Sequence, residues 1–114
     1  MTTEAKAERI REIAEQAKAE RIETLDVRDK TAMTDYFVVC SGTSDLHMRS
    51  IADRIAETMK EAHIRPHHIE GEDSGWVLLD YGDVVCHVMR EEQRQFYDLE
   101  SLWESLPSLE GVQA

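Results

Sequence analysis

The run Trp76-Val77-Leu78-Leu79-Asp80-Tyr81-Gly82-Asp83-Val84-Val85-Cys86-His87-Val88-Met89 decides how this chain folds. Two apolar stretches flank Gly82 and Asp83, a pair suited to a two-residue type II′ turn, so the segment predicts a β-hairpin. That turn pairs Tyr81 with Val84, Asp80 with Val85, Leu79 with Cys86, Leu78 with His87, Val77 with Val88 and Trp76 with Met89. The pleat then sorts the side chains onto two faces. One face carries Val77, Leu79, Tyr81, Val84, Cys86 and Val88, an ordinary core set. The other carries Trp76, Leu78, Asp80, Val85, His87 and Met89, apolar but holding a carboxylate and an imidazole. This second face is either roofed by a helix or offered to a partner.

Working outward, residues 36–40 are continuously apolar and rich in β-branched and aromatic side chains, as in a central strand covered on both faces. Ser41, Gly42, Thr43 and Ser44 form a turn, with Ser44 as helix cap and Asp45 in the first turn, where a carboxylate suits the helix dipole. Leu46, Ile51, Ile55, Met59 and Ala62 mark the buried face of a helix that stops before Pro66. Upstream, residues 4–22 carry Ile10, Ile13, Ala14 and Ala17 at helical spacing, and residues 24–27 alternate as a short strand. Residues 67–70 make another short strand, and residues 71–75 an acidic turn. Phe96, Leu99, Leu102 or Trp103, and Leu106 recur at helical spacing before Pro107, after which the tail is expected to fray. The order helix, strand, strand, helix, three strands, helix predicts an α/β fold: a single domain over residues 1–114 with a mixed, about five-stranded sheet packed by helices.

The 114 residues and 41% hydrophobic content fit one domain that buries roughly two thirds of its unfolded surface without disulfides or a structural metal. Cys40 and Cys86 sit inside apolar runs and read as reduced core residues. No stretch approaches the ~20 apolar residues of a membrane span, and the N-terminus lacks a leader pattern, so a cytoplasmic protein is expected. The net charge of -11 is regional. Residues 70–114 set Arg90 and Arg94 against eleven acidic residues, a net -9, while the rest is close to balanced. Such a surface repels phosphate and steers a basic protein toward it, although solubility alone also selects acidic surfaces.

Five histidines raise the question of a metal, but there is no C-x-x-C spacing, and no metal or other cofactor is expected. Cys86 and His87 are strand neighbours that face opposite ways and cannot form a dyad; His87 beside Asp80, diagonal across the hairpin, reads as a hydrogen-bonded structural histidine. The Gly42 turn resembles a phosphate-binding loop, because amides at a helix N-terminus favour anions. A nucleotidyltransferase also needs two carboxylates one residue apart on the next strand to hold Mg²⁺. That D-x-D pair is missing; Glu70 and Glu72 have the spacing but flank Gly71 in an acidic turn.

The hairpin, followed by Glu92, Arg94, Tyr97, Asp98, Leu99, Glu100 and Trp103, resembles the ribosomal silencing factor family, also called Iojap-like. Residues 34–44 (Thr-Asp-Tyr-Phe-Val-Val-Cys-Ser-Gly-Thr-Ser) and Glu70-Gly71 resemble its other blocks in the same order, so the match covers about residues 8–104. The resemblance implies a nucleotidyltransferase-like fold without the catalytic carboxylates and a protein that is not an enzyme. It further implies binding to protein L-fourteen of the large ribosomal subunit, a steric block to small-subunit joining when nutrients are scarce, and a homodimer in isolation. Organellar relatives assist large-subunit assembly, and a nucleotide-binding enzyme using the Gly42 loop is the alternative from another class. Combined with the charge pattern, these implications place the docking surface on Trp76, Leu78, Asp80 and His87 of the hairpin with Tyr97 and Asp98 of the last helix, with no membrane and no nucleic acid as the main partner. Trp and Tyr would be the anchors, since aromatic residues concentrate interface energy; roofing of Trp76 and Trp103 in the core is the competing expectation.

Overall fold

Strand alternation and helical periodicity meet in a single mixed sheet, seen in a computed structural model that describes residues 1–71 and 74–109. The elements are α1 (Thr3–Gln16), β1 (Glu20–Asp26), β2 (Tyr36–Gly42), α2 (Asp45–Glu61), β3 (His68–Glu70), β4 (Trp76–Asp80), β5 (Val84–Arg90), α3 (Glu91–Tyr97) and α4 (Leu99–Ser105). The five strands lie in the order β1-β2-β5-β4-β3, with β2 and β5 parallel and the other pairs antiparallel. The fold is therefore the expected α/β domain, and the β4–β5 register is the one the Gly82-Asp83 turn dictates, from Asp80 opposite Val85 to Trp76 opposite Met89.

The turn itself closes differently. Gly82 has φ +86°, and Asp83 N–H donates to the Tyr81 carbonyl at 3.2 Å, a tighter three-residue closure than the type II′ turn. Asp83 then ties the turn to its surroundings. Its carbonyl accepts from the amides of Asp35 and Tyr36, and its carboxylate accepts from Thr3 Oγ1 at 2.6 Å and Lys6 Nζ at 2.7 Å. Burial alone would raise this carboxyl, but the Lys6 and Thr3 contacts outweigh it and hold Asp83 below its ordinary value.

The first face is the main core. Val38, Cys40, Val77, Leu79, Tyr81, Val84, Cys86 and Val88 pack against Ile10 and Ile13 of α1 and Met48, Ile51, Ile55 and Met59 of α2. Each fully buried aliphatic side chain contributes roughly 1.5–3 kcal/mol. Leu46 and Ala62 are not part of this face. Met48, Ile51, Ala52, Ile55 and Met59 form the i, i+3, i+4 set, which turns Leu46 outward beside Ser50 and Asp53, and Ala62 is already the cap.

Two boundaries also move. α1 ends at Gln16 rather than near residue 22, and β1 begins at Glu20 rather than at residue 24. The stop is a Schellman closure in which Lys18 takes φ 63°, its amide bonds the Glu15 carbonyl, and the Ala19 amide bonds the Ala14 carbonyl. α2 ends the same way, with His63 at φ 63° and Ile64 N–H reaching Met59. The last helix is broken in two at Asp98, φ 45°, so Phe96 faces solvent while Leu99 and Trp103 reach the sheet. The tail expected to fray is anchored as far as Leu109, whose amide bonds Asp29, and its remainder, 110–114, lies outside the described residues, as do positions 72 and 73 of the acidic turn.

Candidate functional site

The second face of the sheet is half roofed and half open. Leu99 and Trp103 of the α3–α4 segment cover Val27, Phe37, Val39 and Met89, with the Trp103 and Phe37 rings edge to face at 4.9 Å. Beyond Trp103 the cover stops. Leu78, Asp80 and Val85 remain half-buried, and they line an open groove of about 550 Å³ with His67, His68 and residues around 31–34.

Trp76 lies at the other end of this face. Its indole Nε1–H donates to His87 Nδ1 at 3.1 Å, and its ring centroid is 5.0 Å from that of Tyr97, which in turn meets Phe96 at 5.0 Å. Three aromatic rings thus form a ridge from the sheet onto α3, and its outer members are exposed: Phe96 81% and Tyr97 49%. Solvated aromatic rings grouped in this way are the raw material of an interface.

His87 does not join this surface directly, contrary to the sequence expectation. It is only 5% exposed, and burial pushes its pKa down to about 4, against an opposing pull from the Glu100 charge. It does not pair with Asp80 either. Trp76 and Asp80 are both diagonal to His87, and the indole takes the Nδ1 lone pair, while Asp80 Oδ1 accepts from the Gly82 amide at 2.8 Å and Oδ2 lies 3.7 Å from His68 Nδ1. The expectation of a hydrogen-bonded structural histidine holds, with a different partner. Asp98 is exposed, and its position is structural as well: it ends α3 in the left-handed region and caps α4 by accepting from Ser101 N–H at 3.4 Å. Trp76, Leu78, Asp80 and Tyr97 thus border the accessible part of the face, His87 lies beneath it, and Asp98 forms the bend of the roof.

Arg94, which the sequence offers only as part of the family resemblance, has a structural role. It is the buried residue of α3, only 2% exposed, with Nε 2.7 Å and Nη2 2.6 Å from Glu100 Oε1. Its Nη1 donates to Ser41 Oγ at 3.1 Å and to the Arg21 carbonyl. One guanidinium thus ties α3 and α4 to β1 and β2. Composition and periodicity give no sign of this burial, since an arginine in an acidic stretch looks like part of a solvated helix.

The Gly42 turn is filled by the chain itself. Ser44 Oγ accepts from His47 N–H at 3.0 Å, and His47 Nδ1 accepts from Thr43 N–H at 3.0 Å while its Nε2 lies 3.0 Å from the Ala17 carbonyl. A Cβ at Gly42 would sit 2.7 Å from Met48 Cγ and 3.0 Å from Met48 N, so close packing of α2 accounts for the glycine. Cys40 and Cys86 are free thiols buried on the first face; a hydrogen bond to Cys40, then burial, raises the Cys86 thiol. Among the described residues, no group of three or more His, Cys, Asp or Glu is gathered as a metal ion would need, and no helix is long and apolar enough to cross a membrane.

Known proteins share this architecture. The family described as "Ribosomal silencing factor during starvation" matches residues 1–114. The ribosomal silencing factor RsfS of Halalkalibacterium halodurans is 38% identical over 98 residues, spanning 83% of this chain and 84% of that protein. The protein of the same name from Bacillus subtilis is 41% identical over 91 residues, 79% of this chain and 77% of that one. A crystal structure of a Chromobacterium violaceum protein superposes with a TM-score of 0.89 at 32% identity, covering 94% of this chain and 90% of that one. With its whole length matched and its sheet shared, the chain belongs to the ribosomal silencing factor family.

Proposed function

We propose that the protein represses translation under nutrient limitation by docking on protein L-fourteen of the large ribosomal subunit, where its bulk sterically blocks joining of the small subunit. The observation that carries this is the half-open second face, which sets the Trp76–Tyr97–Phe96 ridge beside an uncovered apolar groove in the acidic part of the chain. Ribosomal proteins are basic and their surroundings are RNA. An acidic surface is therefore drawn to a protein patch and turned away from phosphate, so that charge supplies the selectivity and aromatic burial the affinity. The protein works in the cytoplasm, acts without catalysis, and when free pairs with a second copy through the same exposed rings.

The test is co-sedimentation of the purified protein with isolated large subunits, followed by addition of small subunits and scoring of joined ribosomes. Binding with fewer joined ribosomes supports the proposal, and no binding at near-physiological salt overturns it. An enzyme using the Gly42 turn would instead bind a nucleotide with Mg²⁺, where His47 and Ser44 already occupy the turn. A pure assembly factor would bind immature subunits and leave the joining of mature ones unchanged.

A further inference from the structure

The outer edge of β1 is a long strand edge left open. β1 ends the sheet on that side, whereas β3, at the other side, spans only three residues. In an antiparallel pair the strands exchange hydrogen bonds at every second residue. Val27 N–H donates to the Asp35 carbonyl, so Leu25 and Glu23, in register with it, also face β2. Thr24 and Asp26 therefore turn their N–H and C=O groups outward. Toward its start the strand is blunted: Arg21 takes φ 49°, the register shifts between Glu20 and Glu23, and Arg94 occupies the Arg21 carbonyl. The open ladder is thus residues 24–26.

A cleft of about 200 Å³ lies between this stretch and α4. Leu25, Val27 and Trp103 give it an apolar lining, and Glu100 and Glu104 bring carboxylates. The cations of this margin already have partners. Arg21 pairs with Glu91, Arg28 with Asp26 and Arg94 with Glu100, while Lys30, also on the cleft, donates to the carbonyls of Glu104 and Leu106. Among the described residues the Glu20 and Glu104 carboxylates form no ion pair, and Glu23 lies 3.8 Å from Arg94. The charge left over at this edge is negative, which favours a cationic strand and repels phosphate.

We infer that the β1 edge takes an extended basic segment of a protein partner as a sixth strand: its main chain pairs with Thr24 and Asp26, and one lysine or arginine lays its aliphatic stem on Leu25 and Trp103 and brings its charge to Glu104. Main-chain pairing supplies affinity, and the cleft supplies the choice of side chain. The inference stands apart from the docking function proposed above, since Trp103 alone lines both this cleft and the open groove.

The probe is a short fluorescein-labelled peptide of alternating lysine and valine, titrated against the full chain by fluorescence anisotropy. A peptide of alternating glutamate and valine is the control and is expected not to bind. Thr24→Pro removes an outward donor without breaking a bond to β2, and is expected to weaken binding about threefold to tenfold. Glu104→Gln is expected to weaken it about threefold and to flatten its salt dependence. Methylating alternate peptide nitrogens of the lysine probe is expected to abolish binding, which charge attraction alone does not require. Amide NMR shifts on binding are expected at residues 24–26. No binding, equal binding of the methylated or the glutamate peptide, or shifts confined to Leu78, Asp80 and Val85 overturns the assignment. So does self-association of the free protein that Thr24→Pro removes, which gives the edge to a second copy. If Thr24→Pro does not fold, the methylated peptide and the amide shifts still decide.

Discussion

Trp76 and His87 are diagonal neighbours on adjacent strands, and the indole Nε1–H donates to the imidazole Nδ1 at 3.1 Å. Burial holds His87 neutral and lowers its pKa from the ordinary 6.5 to about 4. Unfolding restores the higher affinity for a proton, so the unfolded chain takes one up first as the solution acidifies. The stability this contributes is complete above about pH 6.5 and is lost as the pH falls toward 4. Between pH 6.5 and 5, before most carboxylates titrate, the loss is expected to be about 2 kcal/mol. Urea unfolding across that range measures it, and Trp76→Phe/His87→Phe should lack this part of the pH dependence.

Arg94 is the residue on which the roof depends. Replacing it with methionine leaves the partly buried Glu100 carboxylate without its cation, so a loss of about 3–5 kcal/mol is expected. Arg94→Met/Glu100→Met should recover a large part of that, because two apolar side chains leave no stranded charge. Urea unfolding gives the energies. Trp103, packed on Phe37, reports whether the roof has lifted in Arg94→Met, through a red-shifted emission at denaturant concentrations where the sheet is still folded.

The hairpin and its register were legible because a Gly-Asp turn fixes the pairing and each strand alternates, so one correct residue pair sets all the others. The tighter closure at Gly82 left the register untouched. The helix ends were not legible, because the left-handed positions are filled by Lys18, His63 and Asp98 rather than glycine, and packing, not local preference, holds them there. The candidate face was half legible. Pleat alternation placed Trp76, Leu78, Asp80 and His87 together, but which of them remains accessible depends on how α4 is seated over the sheet, and the buried Arg94 holds the start of that helix through Glu100. A charged residue in a charged stretch gives no pattern by which to find it.

Tyr97 separates docking from folding. Its ring is half exposed and touches Trp76 and Phe96 rather than the core, so Tyr97→Ala should lower stability by no more than about 1 kcal/mol. As a solvent-facing aromatic at the centre of the ridge it should nonetheless carry about 2 kcal/mol of the contact, roughly a thirtyfold loss of affinity for large subunits. Phe96→Ala should behave in the same direction. Co-sedimentation titrations beside thermal melts check both quantities, and unchanged binding by both variants would remove the ridge from the interface.

Gly42 distinguishes a packing turn from an anion site. A methyl group there meets Met48 Cγ at 2.7 Å, which a flexible side chain can relieve, but also Met48 N at 3.0 Å and Cα at 3.2 Å, which belong to the helix backbone. Gly42→Ala is therefore expected to cost about 1–3 kcal/mol through displacement of α2, read as a lower urea midpoint. The turn contributes no residue to the groove or to the stacked rings of the ridge, and its Thr43 amide is already bonded to His47. Affinity for large subunits, corrected for the folded fraction, should consequently stay unchanged. A loss of affinity beyond that fraction would place the Gly42 turn, and not only the second sheet face, in the functional surface.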